Sequence, residues 1–315
     1  MEYTGLINKY KVNRPLTEEE CRSRLDPAKR LEVSPNYFSS TIRMNSCYLE
    51  VADKYYGWKG ALTFVTSALM VICLGMTWIF ADIFFVDGLM GNADERATNM
   101  LLGGGPLLLS IAMTSALIWL IARECFRFTH YPIRLQRDLR MVHVFRLDGS
   151  VLSVPWDKVF FAVGRGNRPF GIQTWDVRGH VLGDDGVTVM ETFCFALAWP
   201  EKEELYRYWE YVRRYMEEGA AAIVPYTLAY LPISGQRETW LFGLLRLALN
   251  LPGQTFVQLI LSPALLLFSF ARWFAMRSCR IPIWPKHIED VCVVDAGDPF
   301  AKDASSNAYR LWKVM

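Results

Sequence analysis

The chain has 315 residues, 52% of them hydrophobic and 21% charged, with 34 Lys and Arg against 32 Asp and Glu for a formal net charge of +2. That balance excludes a strongly basic nucleic-acid binder, which needs concentrated positive charge, and an aromatic share of 14% excludes a disordered chain. The length allows one large domain or two modest ones, and the apolar residues are unevenly placed, as in a membrane protein that carries a polar module.

Met1 to Tyr56 is polar and charged, without a short apolar core ahead of a small-residue cleavage site, and reads as a cytosolic N-terminal segment, 1–56. Two uncharged runs follow, 22 residues from Gly60 to Ala81 and 26 from Ala97 to Ala122. A bilayer core of roughly 30 Å takes about 20 helical residues, so the runs predict a transmembrane helical hairpin over 57–123. Gly103-Gly104-Gly105 is a poor helix interior, and the second helix is expected to begin near Pro106. The link between the runs carries Asp82, Asp87, Asp94 and Glu95 with a single basic residue, Arg96, whereas Arg123, Arg127, Arg134, Arg137 and Arg140 follow the second run. The positive-inside rule then places the N-terminus and the chain after Arg123 in the cytoplasm.

Residues 124–235 read as a cytosolic β-rich module. Met141 to Leu147 and Ser150 to Val154 flank Asp148-Gly149, a strong hairpin signal because both turn positions need positive φ. Further strands are expected at Lys158 to Val163, Gly171 to Val177, His180 to Leu182 and Val187 to Ala198, with turns at Arg178-Gly179 and Asp184-Asp185-Gly186. A helix over 200–218 follows, opened by Pro200 and closed by Gly219, with Leu205, Trp209, Val212 and Met216 as one apolar stripe. Antiparallel strands ending in one amphipathic helix are the layout of a pleckstrin-homology-like module, and also fit other small α+β modules. The expected fold class is therefore an α+β membrane protein, a helical hairpin joined to that module.

A third apolar region runs from Leu247 to Ala271, interrupted by Pro252-Gly253 and Pro263. With the preceding Trp240 to Leu251 it is expected to form a re-entrant or second membrane hairpin over 236–276, turning at Pro252-Gly253. A single span that leaves the C-terminus outside also fits. The basic exit at Arg272, Arg277, Arg280 and Lys286 favours the hairpin and a cytosolic tail over 277–315.

No nucleophile elbow, metalloprotease motif or P-loop is present. Seven cysteines with no Cys-x-x-Cys, and histidines scattered at 130, 143, 180 and 287, lack metal-site spacing, so no metal, cofactor or catalytic residue is assigned and the thiols are expected to be free. Gly164-Arg165-Gly166-Asn167-Arg168 lacks the ending of a phosphate loop. It reads as a basic loop between strands, whose Arg165 and Arg168 are candidates for contact with an anion or a partner. Arg123, Arg127 and Arg134 are further candidates, as basic residues beside the membrane.

Four stretches carry a resemblance: Met44 to Glu50, Asp148-Gly149 through Val154-Pro155-Trp156-Asp157, Trp199-Pro200, and Arg280-Ile281-Pro282-Ile283-Trp284-Pro285. Over roughly residues 40 to 300 the chain resembles an uncharacterised family of proteobacterial inner-membrane proteins, members of which are encoded near type VI secretion effector and spike genes. The resemblance implies a multi-pass inner-membrane protein and an accessory or immunity role, with a secreted toxin or a secretion-spike protein as partner. The expectation is a non-enzymatic protein that binds a protein partner. The alternative is a membrane-tethered module that binds anionic lipid.

Overall fold

The Asp148-Gly149 hairpin forms, but Gly149 alone takes positive φ, at +90°, and Asp148 instead holds the turn through its carboxylate, which accepts the Ser150 amide at 2.9 Å. The computed structural model describes residues 9–166, 168, 171–249 and 259–307. The strands are β1 (Arg14–Pro15), β2 (Arg24–Leu25), β3 (Thr41–Met44), β4 (Tyr48–Val51), β5 (Ile133–Gln136), β6 (Met141–Phe145), β7 (Val151–Pro155), β8 (Val159–Arg165), β9 (Trp175–Leu182) and β10 (Thr188–Trp199). The helices are α1 (Glu18–Arg22), α2 (Ala61–Asp82), α3 (Arg96–Glu124), α4 (Lys202–Glu218), α5 (Trp240–Leu249), α6 (Ser262–Ser278) and α7 (Lys286–Glu289). Two units result, one of Met1–Trp58, Phe128–Gly253 and Arg280–Met315, the other of Lys59–Arg127 and Gln254–Cys279.

In the first unit, among the described residues, two antiparallel five-stranded sheets run in the orders β1-β10-β9-β8-β2 and β3-β4-β5-β6-β7. They share a core with α4, whose Leu205, Trp209, Val212 and Met216 are all buried as the stripe requires. Trp156, just after β7, stacks on Trp209 with ring centroids 5.6 Å apart. The helix ends where expected, with Gly219 at φ +92° and its amide bonded back to Arg214 and Tyr215. The β9–β10 turn is held by Asp185, whose carboxylate accepts the Thr188 hydroxyl and the amides of Thr188 and Val187; these bonds, the hydroxyl's foremost, hold its pKa down at about 2.

Three sequence expectations change here. Arg178-Gly179 is not a turn but the middle of β9, where Gly179 faces Phe161 on one side and Phe193 on the other. A Cβ on Gly179 would lie 2.3 Å from the Phe193 ring, so the glycine marks close packing. The stretch from Gly171 to Thr174 is loop, and β9 starts at Trp175. Strands β3, β4 and β5 were not foreseen. Tyr48 to Val51 pairs with Ile133 to Gln136, so α2 and α3 are together inserted into one β-hairpin. The β4–β5 pairing joins residues more than 80 apart, beyond the reach of local patterning, whereas β3 pairs locally with β4 and β5 with β6.

In the second unit α2 continues as a π-helical stretch, Ile83–Met90. Helix α3 runs unbroken from Arg96 through the glycine triplet and Pro106 to Glu124, which corrects the expected start near Pro106. Gly103 explains it: a Cβ there would lie 2.6 Å from the Phe84 amide nitrogen, so the glycine lets the two helices approach. Thr77 donates to Ser110 across the pair at 3.0 Å. At the base, the Glu124 carboxylate accepts the Gly60 and Thr63 amides at 2.8 and 2.6 Å, capping α2. The Phe268 ring of α6 stacks on Phe64 of α2 at 5.6 Å. The turn expected at Pro252-Gly253 lies outside the described residues.

Candidate functional site

The basic loop read from the sequence lies at the loop end of the β8–β9 hairpin, where several charged side chains converge. Arg165 ends β8 and pairs in register with Trp175, which begins β9. The hairpin mouth is closed by the Gly166 amide on the Thr174 carbonyl at 2.8 Å. Arg168 donates through Nε to Gln173 at 2.8 Å, and Gln173 in turn donates to the carbonyls of Gly166 and Thr174. Residue 167, within the basic loop read from the sequence, lies outside the described residues.

Trp175 is flanked by two cations. The Arg165 guanidinium lies 5.4 Å from its ring centroid, and the Lys202 Nζ, at the start of α4, lies 3.8 Å from it. Such contacts hold each charge in place over a ring face while leaving part of it open to water. Arg165 also faces Glu19 of α1 at 3.4 Å, in a pair about half exposed on both sides.

Beneath this rim Asp176 is completely buried between two cations. Lys54 Nζ donates to Oδ2 at 2.7 Å and Arg178 Nε to Oδ1 at 2.6 Å. Burial by itself raises the Asp176 pKa, but Lys54 and Arg178 outweigh it and the carboxyl sits below its usual range. Lys54 also donates to the Tyr10 hydroxyl at 2.9 Å, and the Arg178 guanidinium lies 5.0 Å from the Tyr10 ring. Burial pushes Tyr10 well above its ordinary value and the neighbouring Cys194 thiol up to about 12, so both stay neutral. Two cations thus converge on one buried carboxylate at this end of the hairpin. Gly164 makes room for them, since a Cβ there would lie 2.4 Å from the Arg178 Nε.

The other residues named from the sequence lie elsewhere. Arg123 stacks on Trp119 within α3 at 4.4 Å, and exposed Arg127 closes the first segment of the second unit. Arg134 is not a surface contact. Its side chain is fully buried on β5, donates to Glu50 at 3.1 and 2.8 Å and to Glu289 at 3.2 Å, and lies between the rings of Tyr48 and Trp284. A run of arginines after an apolar helix resembles a membrane flank, and the apolar-polar alternation of Ile133 to Gln136 was the signal that this one belongs to a strand. Trp175, Asp176, Arg178, Lys54, Lys202 and Tyr10 were missed. Asp176 and Arg178, two apart on a strand, share a face and were findable; the others arrive from distant chain.

A second cluster has the look of a nucleophile-base-acid relay. His180 Nδ1 is 2.8 Å from the Thr192 hydroxyl, and Nε2 is 3.4 Å from Glu20. Burial above all, outweighing the pull of Glu20, holds the His180 pKa down at about 4. Glu20 itself is engaged by Arg14 at 2.6 and 2.8 Å and by the Thr17 amide in the cap of α1. The imidazole is fully buried within the sheet, so the cluster ties β9 and β10 to α1 rather than presenting a nucleophile. Among the described residues no group of His, Cys, Asp and Glu is arranged to hold a metal ion.

The molecule is thus an α+β protein of two antiparallel sheets, with two helices long and apolar enough to cross a membrane. Residues 110–296 match DUF6708, a family of unknown function, and the chain belongs to that family. The matched range begins within α3 and runs past α7, so it takes in β5 to β10 and α4 and leaves out β1 to β4. Neither the search of curated proteins nor that of solved structures returned a match.

Proposed function

We infer that this chain is a non-enzymatic, membrane-anchored protein whose two-sheet unit binds an acidic surface of a protein partner through the β8–β9 hairpin end. The observation that carries this reading is the pair of cations, Arg165 and Lys202, on the Trp175 ring, with Arg168 in the adjoining loop, above the buried Lys54–Asp176–Arg178 cluster. Aromatic and arginine side chains are the usual anchors of protein interfaces, and like-signed charge steers the oppositely charged partner.

Membrane anchoring is supported by the apolar side chains that α2 and α3 turn outward. Trp78 is 73% exposed, Val71 72% and Leu101 79%, far more than water accommodates on one surface. The acidic link from Asp82 to Glu95, against the arginines after the second helix, supports a multi-pass topology with the two-sheet unit in the cytoplasm. Strands β5 to β10 closed by α4 support a pleckstrin-homology-like reading of that unit. The resemblance noted above supplies the setting, the bacterial inner membrane, and the role, an accessory or immunity protein of a type VI effector system. The partner is then a secreted toxin or a spike protein.

Full-length tagged chain extracted from its native membrane in detergent is expected to retain one acidic protein partner. The Arg165→Glu/Lys202→Glu variant is expected to lose it by at least about tenfold, and rising salt should weaken the wild-type complex. Equal recovery by both forms, measured by quantitative mass spectrometry, would contradict the reading.

A further inference from the structure

Two points where the chain enters the first unit are clamped side by side. Phe128 stands four residues after the end of α3 and Arg280 two after the end of α6, and the two form an isolated parallel bridge. The Thr129 amide bonds to the Arg280 carbonyl at 2.8 Å. Beside this bridge opens a cleft of about 490 Å³ lined by Phe128, Phe145, Arg237, Arg280, Ile281 and Ile283. One wall is apolar and rigid. Phe128 packs edge-to-face on Phe145 at 5.0 Å, and Gly149, with φ +90°, leaves room for the Phe128 ring where a Cβ would come within 3.1 Å. Pro282 and Pro285 bracket Ile283, which is 82% exposed. The other wall holds two exposed arginines, and Arg280 has no carboxylate within 4 Å among the described residues.

We propose that this cleft takes the phosphodiester headgroup of an anionic phospholipid, Arg237 and Arg280 holding the phosphate while Phe128, Ile281 and Ile283 cover the glycerol and the first acyl carbons. Guanidinium forks suit phosphate oxygens. A hydrated soluble phosphate gains nothing from a wall of phenylalanine and isoleucine and is desolvated by it, whereas a lipid presents apolar carbon directly beside its charge. The place along the chain fits, because Phe128 and Arg280 stand within a few residues of further basic residues, Arg123 and Arg277 in the last turns of α3 and α6 and Arg127 just after α3, and such residues favour anionic lipid. The cleft shares no residue with the hairpin end around Trp175, so one chain can hold lipid and partner together.

The proposal rests on the membrane reading above. In the test, full chain in detergent is offered an equal mixture of phosphatidylglycerol and phosphatidylcholine, and retained lipid is counted by native mass spectrometry. Wild type is expected to retain phosphatidylglycerol preferentially, Arg237→Gln/Arg280→Gln to lose that preference by roughly thirtyfold, and Arg165→Gln/Arg168→Gln to keep it. Arg237→Lys/Arg280→Lys, which preserves charge, is expected to keep part of it and serves as the folding control. Excess inorganic phosphate should leave the lipid in place; parallel displacement would make the cleft a soluble-anion site and overturn the proposal. Equal retention of both lipids by a chain that needs detergent overturns the headgroup site alone. A chain soluble without detergent overturns the membrane reading and the site with it.

Discussion

Replacing Asp176 with alanine is expected to lower the unfolding free energy of the two-sheet unit by about 3–5 kcal/mol, the usual cost of leaving buried partners of an ion pair uncompensated. The Lys54 side chain is 1% exposed and that of Arg178 11%, so the Lys54 ammonium is sealed from water and the Arg178 guanidinium nearly so. For a unit of this size that loss corresponds to a fall in melting temperature of roughly 10 °C, read by differential scanning fluorimetry of the full chain in detergent. Removing the whole charged set, as Lys54→Met/Asp176→Leu/Arg178→Met, is expected to restore most of the stability, because apolar residues of similar volume carry no desolvation cost. A fall of less than about 1 °C in the single variant would show that water reaches the cluster.

The second large effect lies on the other sheet. Arg134→Ala is expected to cost about 3–5 kcal/mol, because it strands Glu50, which the guanidinium and the indole Nε1 of Trp284 both contact. It also removes the flat cation between the Tyr48 and Trp284 rings, at 4.3 and 4.6 Å, which fastens the chain after Arg280 to β4 and β5. Arg134→Lys is expected to recover less than half of the loss, since an ammonium neither forks onto Glu50 nor lies flat between two rings. Glu289→Ala should cost under about 1 kcal/mol, as that side chain is 47% exposed and its pair is screened by water. Thermal melts of the three variants read the order directly. A Glu289→Ala effect equal to that of Arg134→Ala would contradict the assignment.

These two clusters also show what local sequence can and cannot reveal. The β6–β7 hairpin and α4 were legible because their determinants lie within a few residues of each other: Asp148-Gly149 for the turn, and Gly219 with the spacing of Leu205, Trp209, Val212 and Met216 for the helix. Glu50 and Arg134 are cross-strand neighbours whose pairing spans the inserted helices, and no window along the chain contains both. The basic loop at Arg165 was visible as composition, but Lys54 and Lys202 meet it through strand register and helix docking. Gly179 misled for a related reason: glycine signals a turn when read alone and close packing once Phe193 is opposite it.

The proposed anchoring of α2 and α3 in a bilayer underlies the proposed topology, partner reading and headgroup site together. Membranes from cells expressing the full chain are washed with alkaline carbonate, which strips peripheral proteins and leaves spanning ones. Bilayer anchoring predicts that the chain stays entirely in the membrane pellet and is released only by detergent. Recovery in the carbonate supernatant would mean that the apolar faces of α2 and α3 are covered by protein instead, and would contradict it.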